Sequence, residues 1–261
     1  MKRLIYFIVA LSFGLGTVGC TLESYTKQPS AVGTWLWDSV AGDIELMQEM
    51  METAYYLNTY LGLDEADKET YFNSYLYGYK LSQKGDAYVL SKTTSINTQI
   101  EMSYTYTGEA LKVVRTGGNY CELIITPLGE TTFDAHFTKI HNKASVGSAR
   151  FSVEVISNEI SEGDDSQRVK EVVFSYSGNF SMVDTEESIK EPLTYEVVID
   201  EALQYSLTKG YITQGRLHID CWDAVYDSHD YVGVCFDDNP RQIYVSSYGE
   251  TETVYYYYLA E

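Results

Sequence analysis

From residue 77 onward apolar and polar residues alternate in short runs, and turn-forming residues separate one run from the next. This is the strongest constraint on the fold. Strands that follow one another without intervening helices pair antiparallel, in a closed barrel or in stacked sheets. The runs lie at 88–92, 99–106, 110–116, 120–126 and 132–140, then at 149–157, 170–177, 193–199, 216–226, 231–236, 242–248 and 252–259. Thr107-Gly108-Glu109 and Thr116-Gly117-Gly118-Asn119 supply hairpin turns between the early runs. Residues 157–167 read as an acidic, solvated loop, and the polar stretch 141–148 as the best internal boundary.

Ahead of the strands the period changes. Residues 42–61 place Ile44, Met47, Met50, Met51, Ala54, Tyr55 and Leu61 on one helical stripe, with Asp43 as N-cap and Gly62 as stop. The methionines on that stripe read as core filling rather than as a ligand box. Residues 64–76 form a weaker helix opened by Asp64, with Asp67 three positions on. The expected architecture is mainly β, an antiparallel barrel or sandwich(es) with a helical insertion near the N-terminus.

The N-terminus carries an address. Lys2 and Arg3 precede a twelve-residue, mostly apolar run from position 4 to position 15, and small residues lead from there to Cys20. A basic start, a short apolar core and a small-residue end mark a secretory signal peptide, and the run is shorter than the roughly 20 residues a spanning helix needs. Thr17-Val18-Gly19-Cys20 resembles the lipobox of bacterial lipoproteins, although Thr17 stands where Leu is usual. That resemblance implies cleavage before Cys20, lipidation of its thiol and anchoring to an outer membrane, with 21–30 as a polar tether. Val32-Gly33-Thr34-Trp35 resembles the G-x-W that opens the first strand of lipocalin-like domains, and the strand cadence over 104–137 is similar to that of small lipocalin-like lipoproteins. This second resemblance implies a barrel whose cup holds a small apolar ligand. The resulting organisation is a signal peptide over 1–19, a tether over 20–30, a lipocalin-like β domain over 31–142 with the helical insertion 43–76, and a second antiparallel β unit over 143–261. One continuous β domain over 31–261 is the alternative.

Charge narrows the partners. The chain has 18 basic and 38 acidic side chains, and loss of Lys2 and Arg3 with the signal peptide takes the net charge from −20 to about −22. A field of that sign repels nucleic acid and anionic lipid. Aromatic residues at 14%, with 25 tyrosines, exclude disorder and allow a packed core at this length.

Sequence motifs for catalysis are absent: there is no G-x-S-x-G, H-E-x-x-H, C-x-x-C or Gly-rich phosphate loop. His136 and His141, five apart, fall on opposite faces of a continuous strand, and His218 faces away from Leu217 and Ile219. No cofactor is expected. In the stretch DCWDAVYDSHDYVGVCFDD, a hairpin centred on Ser228 sets Cys221 opposite Cys235, within disulfide reach in an oxidising compartment, and leaves Cys121 as a buried thiol. Asp227 and Asp230 in that turn are weak candidates for a metal, because acids at the two ends of a hairpin do not converge as calcium requires. Tyrosines are the remaining clue. Tyr255, Tyr256, Tyr257 and Tyr258 put two rings on each face of the last strand, and Tyr75, Tyr77 and Tyr79 repeat on one face. Such rings form a platform for a sugar or a protein partner, or simply pack at the core edge. The expectation is a lipid-anchored, non-enzymatic envelope protein that binds a glycan, a small apolar ligand or another envelope protein. A hydrolase without a recognisable motif and a structural accessory of an outer-membrane complex are the alternatives.

Overall fold

The computed structural model describes residues 31–142, 145–162, 167–184, 194–223, 228–238, 243–247 and 251–255. Two helices come first, α1 (Ala31–Gly62) and α2 (Glu65–Tyr75). Thirteen strands follow: β1 (Lys80–Lys84), β2 (Ala87–Thr93), β3 (Gln99–Thr107), β4 (Ala110–Thr116), β5 (Tyr120–Pro127), β6 (Thr132–Asn142), β7 (Ser145–Glu162), β8 (Gln167–Asp184), β9 (Thr194–Ser206), β10 (Tyr211–Asp223), β11 (Ser228–Phe236), β12 (Ile243–Ser247) and β13 (Thr251–Tyr255). They pair in chain order as one antiparallel meander, and among the described residues β1 and β13 do not meet to close it. The fold is mainly β with its helices at the N-terminal side.

α1 is the axis of the molecule. An ordinary surface helix is apolar along one stripe, but here Val40, Ala41, Leu46, Met47, Met50 and Leu57 point in different directions and all are buried. Only a sheet that curls around the helix can cover so many sides. Its contacts show that it does: Thr53 meets Met102 on β3, Gln48 donates to the Tyr176 hydroxyl on β8 at 2.7 Å, and Trp37 packs edge-on against Phe236 on β11 at 5.7 Å. Each large apolar side chain so enclosed contributes about 1.5–3 kcal/mol relative to exposure. Asp43, expected as an N-cap, lies instead inside the helix and is fully buried. It accepts hydrogen bonds from Asn142 Nδ2 and the Tyr195 hydroxyl, both at 2.6 Å, which tie α1 to β6 and β9.

Several expectations change on this frame. Residues 32–35 do not open a strand; they lie in the first turn of α1, and the helices precede the sheet rather than interrupt a barrel. The division at 142/143 runs through a hairpin. β6 and β7 pair from Asn142↔Ser145 onward, and one hydrophobic cluster runs from Trp37 to Phe236. An irregularity between Phe137 and Ile140 adds a residue to β6, so that Ala135, Phe137 and Ile140 all point inward. It thereby returns His141 to the outer face that His136 already occupies. The acidic loop shrinks to 163–166, because β7 and β8 stay paired as far as Glu162↔Gln167. β6 flanks β7 only as far as Glu154, and β9 flanks β8 only from Val173. Beyond these points the hairpin continues as a two-stranded ribbon.

Candidate functional site

The sheet leaves one strip of α1 uncovered. Gly42, Glu45, Glu49 and Glu52 recur at spacings of three and four, which stacks them on one helical face, and all four are half-buried while their neighbours are buried. Along this strip runs a cleft of about 610 Å³, within the usual size of small-molecule sites. One wall comes from the start of the sheet, with Tyr79 just before β1, Lys92 on β2 and Arg115 on β4. The other comes from β9 and its turn, with Tyr205, Lys209 and Gly210. Tyr56 of α1, Tyr75 of α2 and Tyr77 of the following turn complete the lining.

Glu49 organises the first wall. Its Oε1 accepts from Lys92 Nζ and from the Tyr79 hydroxyl at 3.0 Å, and its Oε2 faces Arg115 Nη2 at 3.5 Å. Burial alone would raise its pKa, but Lys92, Arg115 and Tyr79 outweigh burial and hold the carboxyl below its ordinary range. The same ammonium lies 4.6 Å above the Tyr79 ring. Burial, then the Glu49 charge and hydrogen bond, push the Tyr79 phenol upward, so it stays a neutral donor. Arg115 is 5% exposed. Its Nη1 reaches the Asn119 carbonyl at 3.2 Å, and its Nε has no hydrogen-bond partner among the described residues.

Glu52, one turn further along α1, has a different surrounding. It accepts from the Tyr205 hydroxyl at 2.9 Å and from Tyr56. Burial and the Glu52 charge raise the Tyr56 pKa. The Tyr56 ring leans on Tyr75 at 5.1 Å, and Tyr75 leans on Tyr71 at 4.6 Å. At the mouth Tyr75 is 51% and Tyr77 85% exposed. On the far rim Lys209 is held by both oxygens of Asp238 at 2.8 and 2.9 Å. Chemically, this is a pocket of aromatic faces, neutral hydroxyls and ionised carboxylates. A carboxyl kept charged by two cations, as Glu49 is, makes a poor proton donor.

Of the tyrosines singled out in the sequence, Tyr75, Tyr77 and Tyr79 do line one cleft, but not as a strand face: they end α2, occupy the turn and precede β1. Tyr255 ends β13, while its ring and Tyr256, Tyr257 and Tyr258 lie outside the described residues, as does Cys20. The disulfide expected between Cys221 and Cys235 does not form. The β10–β11 turn spans 224–227, so Cys221 pairs with Asp230 and Cys235 with Arg216. The two sulfurs sit five ladder positions apart, Cys221 inward and Cys235 on the opposite face, and both are free together with Cys121. Asp227 lies outside the described residues; Asp230 belongs to β11 rather than to the turn. Among the described residues no group of three or more His, Cys, Asp or Glu could hold a metal.

Sequence reasoning missed Glu45, Glu49, Glu52, Lys92, Arg115 and Tyr205. The available signal was three glutamates at spacings of four and three within a helix otherwise dominated by apolar residues. Fold and site together define a mainly β protein whose single antiparallel sheet coils around one helix and leaves an aromatic, acidic cleft along it. Comparison with protein-family models, with curated proteins and with solved structures finds no match.

Proposed function

We propose that this chain is a non-enzymatic binding protein of a bacterial cell envelope, lipid-anchored through Cys20, whose ligand lies in the cleft along α1. The cleft's lining carries this reading: tyrosines on both walls, two of them exposed at the mouth, with carboxylates at the floor. Rings that offer flat faces beside hydroxyl and carboxylate acceptors suit a glycan, whose sugar rings stack on aromatics while their hydroxyls donate. A purely apolar ligand would leave Glu45, Glu49 and Glu52 facing hydrocarbon, at a cost no lining residue offsets. The anchor is supported by the basic start, the short apolar run and the lipobox-like Thr17-Val18-Gly19-Cys20.

A glycan panel screened against the protein tests the reading, with every hit repeated on Tyr77→Ala and Tyr75→Ala. Both rings are exposed, so neither change empties the core. Loss of one stacking ring should weaken a true cleft ligand about tenfold, given about 1 kcal/mol or more for an aromatic contact beyond its area. Hits that bind both variants as tightly as the parent would place the ligand elsewhere.

A further inference from the structure

The cleft already shows how it accommodates a positive charge. The Lys92 ammonium lies over the Tyr79 ring and bonds the Glu49 carboxylate, so one wall is a tyrosine face and a glutamate closed around a cation of the chain itself. One turn along α1 the same two components recur. Glu52 faces the cleft beside Tyr56, Tyr75 and Tyr77, and no described lysine or arginine lies over those three rings. The partners that donate to Glu52 here, Tyr205 and Tyr56, are neutral phenols and leave its charge in place. The cations of the walls are committed elsewhere, Lys92 and Arg115 to Glu49 and Lys209 to Asp238. Around the site stands a chain of net charge −20, which draws cations toward a carboxylate-floored cleft and repels anions.

We propose that the cleft recognises a ligand through a positively charged ammonium group, held against the exposed tyrosine rings with Glu52 as counter-charge. Aromatic faces attract such a head group through their ring quadrupole, and the attraction grows as water is excluded, which a cleft between two walls achieves better than an open surface. The inference rests on the reading of the cleft as a binding site and specifies what enters it: an amine-bearing ligand, including a glycan with a free amino group.

The test uses the full chain in calorimetric titrations with choline and with 3,3-dimethylbutan-1-ol, which has the same shape without the charge. The glycan panel is run on the same preparation. Choline should bind about tenfold more tightly than its uncharged counterpart. Glu52→Gln and Tyr77→Ala should each remove most of that preference while melting at nearly the parent temperature. Tyr106→Ala, at an exposed ring outside the lining, should leave binding unchanged. Equal binding of choline and the alcohol, or choline binding indifferent to both cleft variants, overturns the ammonium inference. Neutral glycans that bind and respond to Tyr77→Ala while choline does not would also overturn it and leave the cleft reading standing. Failure of every ligand would sink both.

Discussion

Glu49 carries two cations and a phenol on its two oxygens, and that arrangement couples the stability of the fold to pH. Its folded pKa lies below the unfolded value of about 4.3, so its contribution is complete above that value and disappears as pH falls through the folded pKa. Replacing it with glutamine strands the buried Arg115 guanidinium beside a neutral amide. We expect Glu49→Gln to cost about 3 kcal/mol at pH 7. The gap to the parent should narrow once the medium is acidic enough to protonate the parent's own carboxyl. Urea unfolding of both proteins at pH 7 and pH 3 checks this, and a gap that ignores pH would refute the ion-pair account. The three glutamates of α1 were readable in the sequence as acids on a helix. Their role was not, because a helical period says which residues share a face and not which face the sheet leaves open.

At the scale of elements, the alternating runs marked nearly every strand because a half-covered antiparallel strand must alternate. β1 escaped notice because its sequence, KLSQK, holds a single apolar residue, Leu81, and the strand lies at the sheet edge with little to bury. Register was harder to read than existence. The segment 224–231 offers several polar positions for a turn, and the turn falls about two to three residues before Ser228, which separates the two cysteines. Protein lacking Cys20 should therefore yield three titratable thiols when denatured without reductant. One thiol and a bridged pair would contradict the β10–β11 register. In the native state Cys121 should resist alkylation, since burial pushes its thiol up to about 12. Gly178 marks a second register point, in the irregularity between Tyr176 and Asn179. Its φ of +145° and a backbone oxygen, that of Arg150, 2.1 Å from any added Cβ leave no room for a side chain. Gly178→Ala should cost about 2 kcal/mol, a fall of roughly 4–8 °C in Tm for a chain of this size. An unchanged melting temperature would show that β8 relaxes there at no cost.

For the whole molecule, the central prediction is that the sheet cannot be halved. A fragment of residues 31–142 keeps α1 and β1–β6 but strips away β9 and β11, which supply Tyr195 to Asp43 and Phe236 to Trp37. It should show no cooperative thermal transition and poor chemical-shift dispersion, whereas the intact chain melts in one step. A fragment that melts cooperatively would show that the core divides at the 142/143 hairpin after all. The sequence by itself determined the class of the fold: period-two runs with turns between them admit only antiparallel neighbours, and the long apolar helix demanded cover. It also determined the strong acidity and the signal-peptide-like N-terminus. The tertiary structure alone decided that one sheet coils around that helix, that Asp43 is buried rather than capping, and that Tyr75, Tyr77 and Tyr79 meet three glutamates in one cleft. Those outcomes depend on how far a thirteen-strand meander curls before it stops. Curl accumulates from small twists and irregularities over many strands, and no short stretch of residues encodes it.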